Sequence, residues 1–512
     1  MATITTIPGA PAEHRGLTHW MERVLKELEH VQKEPEADAV HDLRVAIRRC
    51  RSVGAVMQEV DPDPAWREMR RVPRKLFRRL GELRDAQVMD EWVKKLATED
   101  DSVRAQLQTA FAKNEPELRQ RALRAAERFD EKAWERLERK LQKRARLVQP
   151  GSLAAECLAV ERFEEAKELH TKAQRTENSQ SWHQLRIGLK RLRYTVESLL
   201  PEQYALWSDN LKRLQDLLGE VHDLDVLAAM VREIASPAAL DARHAWEETI
   251  RRERGQRIDG YRQLTLGKTS IWNDWRHGLP QGKRLGLAAM ARLRATARAT
   301  DAHPRRSAQV ARIAVASFDA FRRVHAAPAF GERPMRRVLR AATRLHGVRA
   351  TQHAGSQQKA ALRFLRELPM PPSWTLEEWE LLAWTVRYHR GAEPNSDAGA
   401  FAKLPEEQQR NVRALAGILR LARGLRKCAV DRCTGMRAEK SVDAVILHVP
   451  GLTDSAETAA RLAAGKHLLE TYLGKALILK PAPKVTNVAA LLTQFQEHYE
   501  VSATAGTAAA SD

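Results

Sequence analysis

The chain has 512 residues and carries 86 Lys and Arg against 66 Asp and Glu, a formal net charge of +20, so its partners are expected among polyanions. Aromatic residues make up only 5%, too few for a general single-strand binder that stacks bases on aromatic platforms. No apolar run is long enough to cross a bilayer, residues 1–10 lack the basic and apolar regions of a secretory signal, and Cys50, Cys157, Cys428 and Cys433 are too few and scattered for a disulfide framework; a cytoplasmic, reduced protein without membrane contact is expected.

Residues 16–150 read as long charged helices. In Trp20-Met-Glu-Arg-Val-Leu-Lys-Glu-Leu28 and again in Ala133-Trp-Glu-Arg-Leu-Glu-Arg-Lys-Leu141 the apolar residues recur three and four apart. Between them stands His41-Asp-Leu-Arg-Val-Ala-Ile-Arg-Arg-Cys-Arg51, which places His41, Arg44, Arg48 and Arg51 on one helical stripe with Arg49 beside it. Asp61-Pro-Asp-Pro64 predicts a turn and a helix start, and Pro73 should begin or kink the next helix. That helix opens with the basic pair Arg74-Lys75 and carries Leu80-Gly-Glu-Leu-Arg-Asp-Ala-Gln-Val88, including Arg84 and Asp85. Pro150-Gly151 marks the boundary to residues 151–298.

The second stretch repeats the first. His183-Gln-Leu-Arg-Ile-Gly-Leu-Lys-Arg-Leu-Arg193 matches the earlier segment at five of eleven positions, so His183, Arg186, Lys190 and Arg193 form a twin stripe with Arg191 beside it. Lys212-Arg213 precede Leu218-Gly-Glu-Val-His-Asp-Leu-Asp-Val226 at the offset seen before. Such ordered recurrence indicates an internal duplication, and two basic stripes in related halves suggest a surface built to hold a polyanion. Arg outnumbers Lys 63 to 23; its planar fork suits phosphate oxygens, though genomic composition could produce the same bias. The mixed-sign run 161–172 reads as a solvated face, Trp272 and Trp275 as core or interface anchors, and Asp85 and Asp223 as residues that orient nearby Arg or cap a helix. His41 and His183 open their helices on this reading, and taken singly they would be structural. His222 stands where the first half has Arg84, so the halves need not bind equally. Trp182 and Tyr194, beside the second stripe, keep a nucleic-acid partner in view.

The paired motifs, His-x-x-Arg-x-x-x-Arg/Lys-Arg-x-Arg followed by Leu-Gly-x-x-Arg/His-Asp, resemble the conserved histidine α-helical domain, or CHAD, family over residues 16–298. The resemblance implies two four-helix bundles related by a pseudo-twofold axis, a basic central cavity and inorganic polyphosphate as ligand. On it, phosphate contacts are expected from Arg44, Arg48, Arg49, Arg51, Arg186, Lys190, Arg191 and Arg193. His41 and His183 would support them, with Arg74, Lys75, Arg84, Lys212 and Arg213 further out.

Residues 300–485 change character. His303, Val338-Leu-Arg-Ala-Ala-Thr-Arg-Leu-His-Gly347, His353, Leu382-Ala-Trp-Thr-Val-Arg-Tyr-His-Arg390 and Ile418-Leu-Arg-Leu-Ala-Arg-Gly-Leu-Arg426 resemble the helical HD-like region of the exopolyphosphatase and guanosine pentaphosphate phosphatase family. A strand pair, 443–449 and 476–479, should flank a helix at 459–472. In that family a divalent metal is held by histidines and carboxylates. Here His303 and His346 match the first two histidines, while Gly347, Arg423 and Arg426 stand where the carboxylates belong. Guanidinium groups repel a cation, so no metal or other cofactor is expected. Arg387, His389 and Arg390 either extend an anion track or face water. The expected fold is mainly α: duplicated helical bundles plus a degenerate HD-like domain with a short strand pair, and a disordered tail at 503–512. The expected function is non-catalytic polyphosphate binding, with targeting to polyphosphate granules. The alternatives are a phosphohydrolase acting on polyphosphate or phosphorylated nucleotides, and a nucleic-acid-binding protein.

Overall fold

Helix boundaries fall where the sequence punctuates them. The computed structural model describes residues 16–98, 100–233, 240–348, 356–395, 399–428, 430 and 433–482; the 503–512 segment and His353 lie outside these. The chain divides into two units, residues 1–301 with 368–374, and residues 302–367 with 375–512.

The first unit opens with α1 (Leu17–Lys33), α2 (Ala37–Met57), α3 (Pro64–Arg71), α4 (Arg74–Leu96), α5 (Ser102–Glu127) and α6 (Glu131–Ala145). It continues with α7 (Leu153–Thr176), α8 (Ser179–Leu199), α9 (Pro201–Arg232), α10 (Leu240–Thr265), α11 (Ile271–His277) and α12 (Gly282–Thr300). Short polar side chains cap many starts: Asp63, Asp101, Asp130, Ser152 and Asn178 each accept a backbone N–H two or three residues on. Pro64 and Pro201 take the first helical position, where a missing N–H costs nothing, and Pro73 ends α3 from α4 as its ring requires.

The two halves share their apolar interior. α2 packs against α8, and α4 against α9. One core runs through both halves and encloses Trp66, Trp134, Trp182, Trp272 and Trp275; a smaller one joins Met89, Trp92 and Val93 of α4 to Leu224, Leu227 and Val231 of α9. Burial of these large side chains is the main favourable term, roughly 1.5–3 kcal/mol for each fully buried Leu or Phe. The run 161–172 is solvated on one side only: Glu164, Glu168, Thr171 and Lys172 are exposed, while α8 and α12 pack against the other side of α7. Its Glu161 is largely buried, 3.3 Å from the fully buried Arg292, and burial holds its carboxyl above the usual range. A helical stripe of mixed charge looks the same in sequence whether it faces water or a buried guanidinium.

The second unit contains α13 (Pro304–Arg323), α14 (Arg333–Leu345), α15 (Gln357–Glu367), α16 (Leu376–Tyr388), α17 (Gly399–Ala402) and α18 (Glu406–Lys427), followed by β1 (Arg437–Lys440), β2 (Ala444–Val449), α19 (Ala456–Leu473) and β3 (Ala476–Pro481). β2 and β3 pair in parallel, with Val445 opposite Leu477, across the α19 crossover, and β1 adds an antiparallel edge. α18 and α19 approach closely because a Cβ at Gly417 would sit 3.1 Å from the Leu469 backbone.

Candidate anion-binding site

The two basic stripes meet. α2 presents His41, Arg44, Arg48 and Arg51, and α8 packed against it presents His183, Arg186, Lys190 and Arg193. His41 and His183 do not open these helices but sit a full turn inside them, after Ala37 and Ser179. The Leu-Gly-x-x-Arg/His-Asp motifs complete the site from the other side. On α4, Leu80 and Leu83 belong to the large core and Met89 to the small one, so Arg84 and Asp85 fall between two apolar clusters. On α9 the same holds for His222 and Asp223, between Val221 and Leu224. A charged layer is thereby fixed between two dry ones.

Positive charge predominates in that layer. Lys190 is pushed down to about 7 by burial, then by Arg186, Arg48 and Arg44, against the pull of Asp223; α2 and α8 thus crowd cations onto one point. Arg44 is held down to about 10 by burial, with Asp85 opposing and Arg48 and Arg84 adding to it. Its Nη1 donates to the Phe77 carbonyl at 3.3 Å and its Nη2 lies 4.0 Å from Asp85. Gly81 makes this possible, since a Cβ there would lie 2.6 Å from Arg44 Nη1, whereas Gly219 of the second half has open space. Arg44 and Arg51 cover the Phe77 ring at 5.0 and 4.8 Å. Asp223 sits above the usual carboxylate range because burial outweighs Arg186 and Lys190. The His183 and His222 Nδ1 atoms lie 3.2 Å apart, so one must accept while the other donates. Burial and the nearby cations hold both rings below their ordinary value, His222 at about 4.

Not every expected contact belongs to this group. Arg49 pairs with Glu197 of α8 and lies over Trp20 and Tyr194, at 4.6 and 5.7 Å; it ties the halves together. Arg191 pairs with Glu165 at 2.5 Å, on the exposed side. Arg193 donates to Gln215 at 3.1 Å and Arg84 to Glu91 at 3.3 Å. Arg74, Lys75, Lys212 and Arg213 are exposed on α4 and α9. A cleft of about 380 Å³ opens beside Arg44, Arg51, Arg74, Phe77, Arg78 and Asp85. Sequence reading had missed Arg78, although it lies one turn beyond Arg74, and Phe77. Trp182, 1% exposed, stacks edge-on against Tyr261 and offers no platform to a base.

Residues 15–232 match the family model of the CHAD domain. The chain carries a CHAD domain. The match spans both basic stripes and both Leu-Gly motifs, and it ends at the close of α9. The crystal structure of the CHAD domain from the plant Ricinus communis is a similar solved structure, 22% identical, covering 48% of this chain and 88% of that one with a TM-score of 0.39. Curated proteins give no match.

Outside the CHAD domain, the second unit brings His346 and His389 together, their ring centroids 5.5 Å apart. Both are buried, so His389 neither faces water nor lies on an exposed track. Their Nδ1 atoms lie against the Thr343 and Val386 carbonyls at 2.9 and 2.6 Å. Burial, His346 and Arg423 hold His389 well below the usual imidazole range. Two imidazoles beside guanidinium groups do not fit a divalent metal, which wants carboxylates as well. Among the described residues no group of three or more His, Cys, Asp or Glu could hold a metal ion.

Proposed function

We propose that the CHAD domain binds inorganic polyphosphate without transforming it, and thereby brings the chain to polyphosphate granules. The observation that carries this reading is the convergence of Arg44, Arg48, Arg186 and Lys190 from two halves on one half-buried point, with Asp85 and Asp223 as the nearby acids. Holding like charges together costs free energy in the empty protein, and a dense polyanion offsets that cost. A polymer of phosphate fits better than a nucleic acid, because Phe77 is already covered by Arg44 and Arg51 and Trp182 is buried. Arg84 and His183 adjoin the centre, Arg51 shares the Phe77 ring with Arg44, His41 and Arg193 continue the two stripes, and Lys212 and Arg213 lie earlier on α9. Arg49 is assigned to a largely buried ion pair with Glu197 instead, and Arg191 to a surface pair with Glu165.

The second unit is read as a degenerate HD-like region without phosphohydrolase activity. Support comes from the βαβ arrangement of β2, α19 and β3 and from the Arg423 guanidinium beside His389. Competition between long-chain polyphosphate and single-stranded RNA at matched phosphate concentration tests the ligand. Polyphosphate should displace RNA completely, and the reverse order would favour a nucleic-acid partner.

A further inference from the structure

A second cleft, of about 510 Å³, lies next to the first on the outer side of α4. Arg74 and Arg78 line both clefts, so the two adjoin at this pair. Its far wall is the turn between α5 and α6, which brings in Arg128, and Lys75 stands on its α4 side. Arg74, Lys75 and Arg128 are exposed and have no carboxylate partner among the described residues. The one acid in the wall, Asp130, is engaged as the cap of α6, accepting from the Ala133 N–H at 2.8 Å. Arg71 is likewise taken up by Glu68. Arg78 lies 3.9 Å from Glu82, which leaves Arg74, Lys75 and Arg128 as the cations without a carboxylate among the described residues, and Arg70 and Arg74 add to burial in lowering Arg51.

The cleft arises from the break between α3 and α4. α3 ends at Arg71 and α4 starts at Arg74 after Pro73, and the cleft lies between this break and the α5–α6 turn. α9 is continuous from Pro201 to Arg232, so the second half lacks this break and the notch belongs to the first half.

We propose that this cleft is a second anion subsite, in which Lys75 and Arg128 hold the part of a polyphosphate chain that leaves the central site between Arg74 and Arg78. It rests on the polyphosphate reading of that site. A short oligomer fits the centre alone, whereas a long chain reaches the cleft and gains contacts there. The subsite therefore converts chain length into affinity, and it does so through phosphate charge, with no base or sugar needed.

The test uses the full chain with tripolyphosphate and long-chain polyphosphate as probes, on the unaltered protein, on a Lys75→Ala/Arg128→Ala variant, and on an Arg252→Ala/Lys268→Ala variant with the same loss of charge elsewhere. The first variant should bind tripolyphosphate as before and lose at least tenfold in affinity for the long chain, with a shallower salt dependence. The second should bind both probes normally. Equal long-chain affinity in all three proteins, or an equal loss in both variants, overturns the subsite while leaving the central site standing. Failure of the unaltered protein to bind either probe overturns the central reading and the subsite with it.

Discussion

Lys190 couples binding to pH. In the free protein burial, with Arg186 on its own helix and Arg48 and Arg44 on α2, holds it down to about 7, against Asp223. A polyanion in the site supplies negative charge and returns the ammonium towards its ordinary preference. Binding therefore takes up a proton wherever free Lys190 is neutral. Affinity should fall about tenfold for each pH unit above 7, until the bound lysine itself titrates. His183 and His222 do not enter this window, because both are held below their ordinary value of 6.5. The sign for stability is opposite. Between pH 7 and 10.5 the unfolded chain binds the proton and the folded one does not, so the unliganded protein gains stability as pH rises, by up to about 1.4 kcal/mol per unit. Calorimetric titration in two buffers of different ionisation enthalpy measures the uptake, which should approach one proton at about pH 8. A Lys190→Arg variant keeps its charge and should lose the fall. A flat affinity from pH 6 to 9, or the same fall in the arginine variant, removes Lys190 from the site.

Gly81→Ala places a methyl 2.6 Å from Arg44 Nη1 and must swing the guanidinium aside, whereas Gly219→Ala meets nothing within 4 Å. Thermal melts should show both variants folded, and titration should show about tenfold weaker polyphosphate binding in the first alone, the size expected for one charge-assisted contact. Arg49→Met should lower stability by about 2–3 kcal/mol through loss of the Glu197 pair and the aromatic contacts, with the salt dependence of binding unchanged. Phosphate release from polyphosphate with magnesium or manganese should stay at background, and turnover that disappears in His346→Ala would contradict the reading of the second unit.

Much of this was legible because periodicity is local. Residues spaced by three, four and seven must share a helix face, so the stripe from His41 to Arg51 could be read before any helix was placed. Capping asparates and prolines at Asp63, Pro64 and Pro73 likewise act within one turn. What the sequence could not show is which faces meet. Arg48 and Arg49 are neighbours in the chain, yet one joins Lys190 and the other turns about 100° away to Glu197. Arg128 joins the second cleft only because the α5–α6 turn folds against α4. The strand β1, Arg-Ala-Glu-Lys, carries a single buried residue and has no alternation to announce it; its place follows from β2 beside it. The strand pair β2 and β3 was readable because both are apolar runs bounded by turns.

Titration of long-chain polyphosphate into the full chain over a range of salt, with each stripe reversed in turn, tests the central claim most directly. The unaltered protein should bind with log affinity falling steeply against log salt. Arg44→Glu/Arg48→Glu/Arg51→Glu and Arg186→Glu/Lys190→Glu/Arg193→Glu should each abolish binding while helical circular dichroism is retained, because both stripes face one ligand. Normal binding by either triple variant with its helices intact, or an affinity indifferent to salt, would contradict a shared polyanion site.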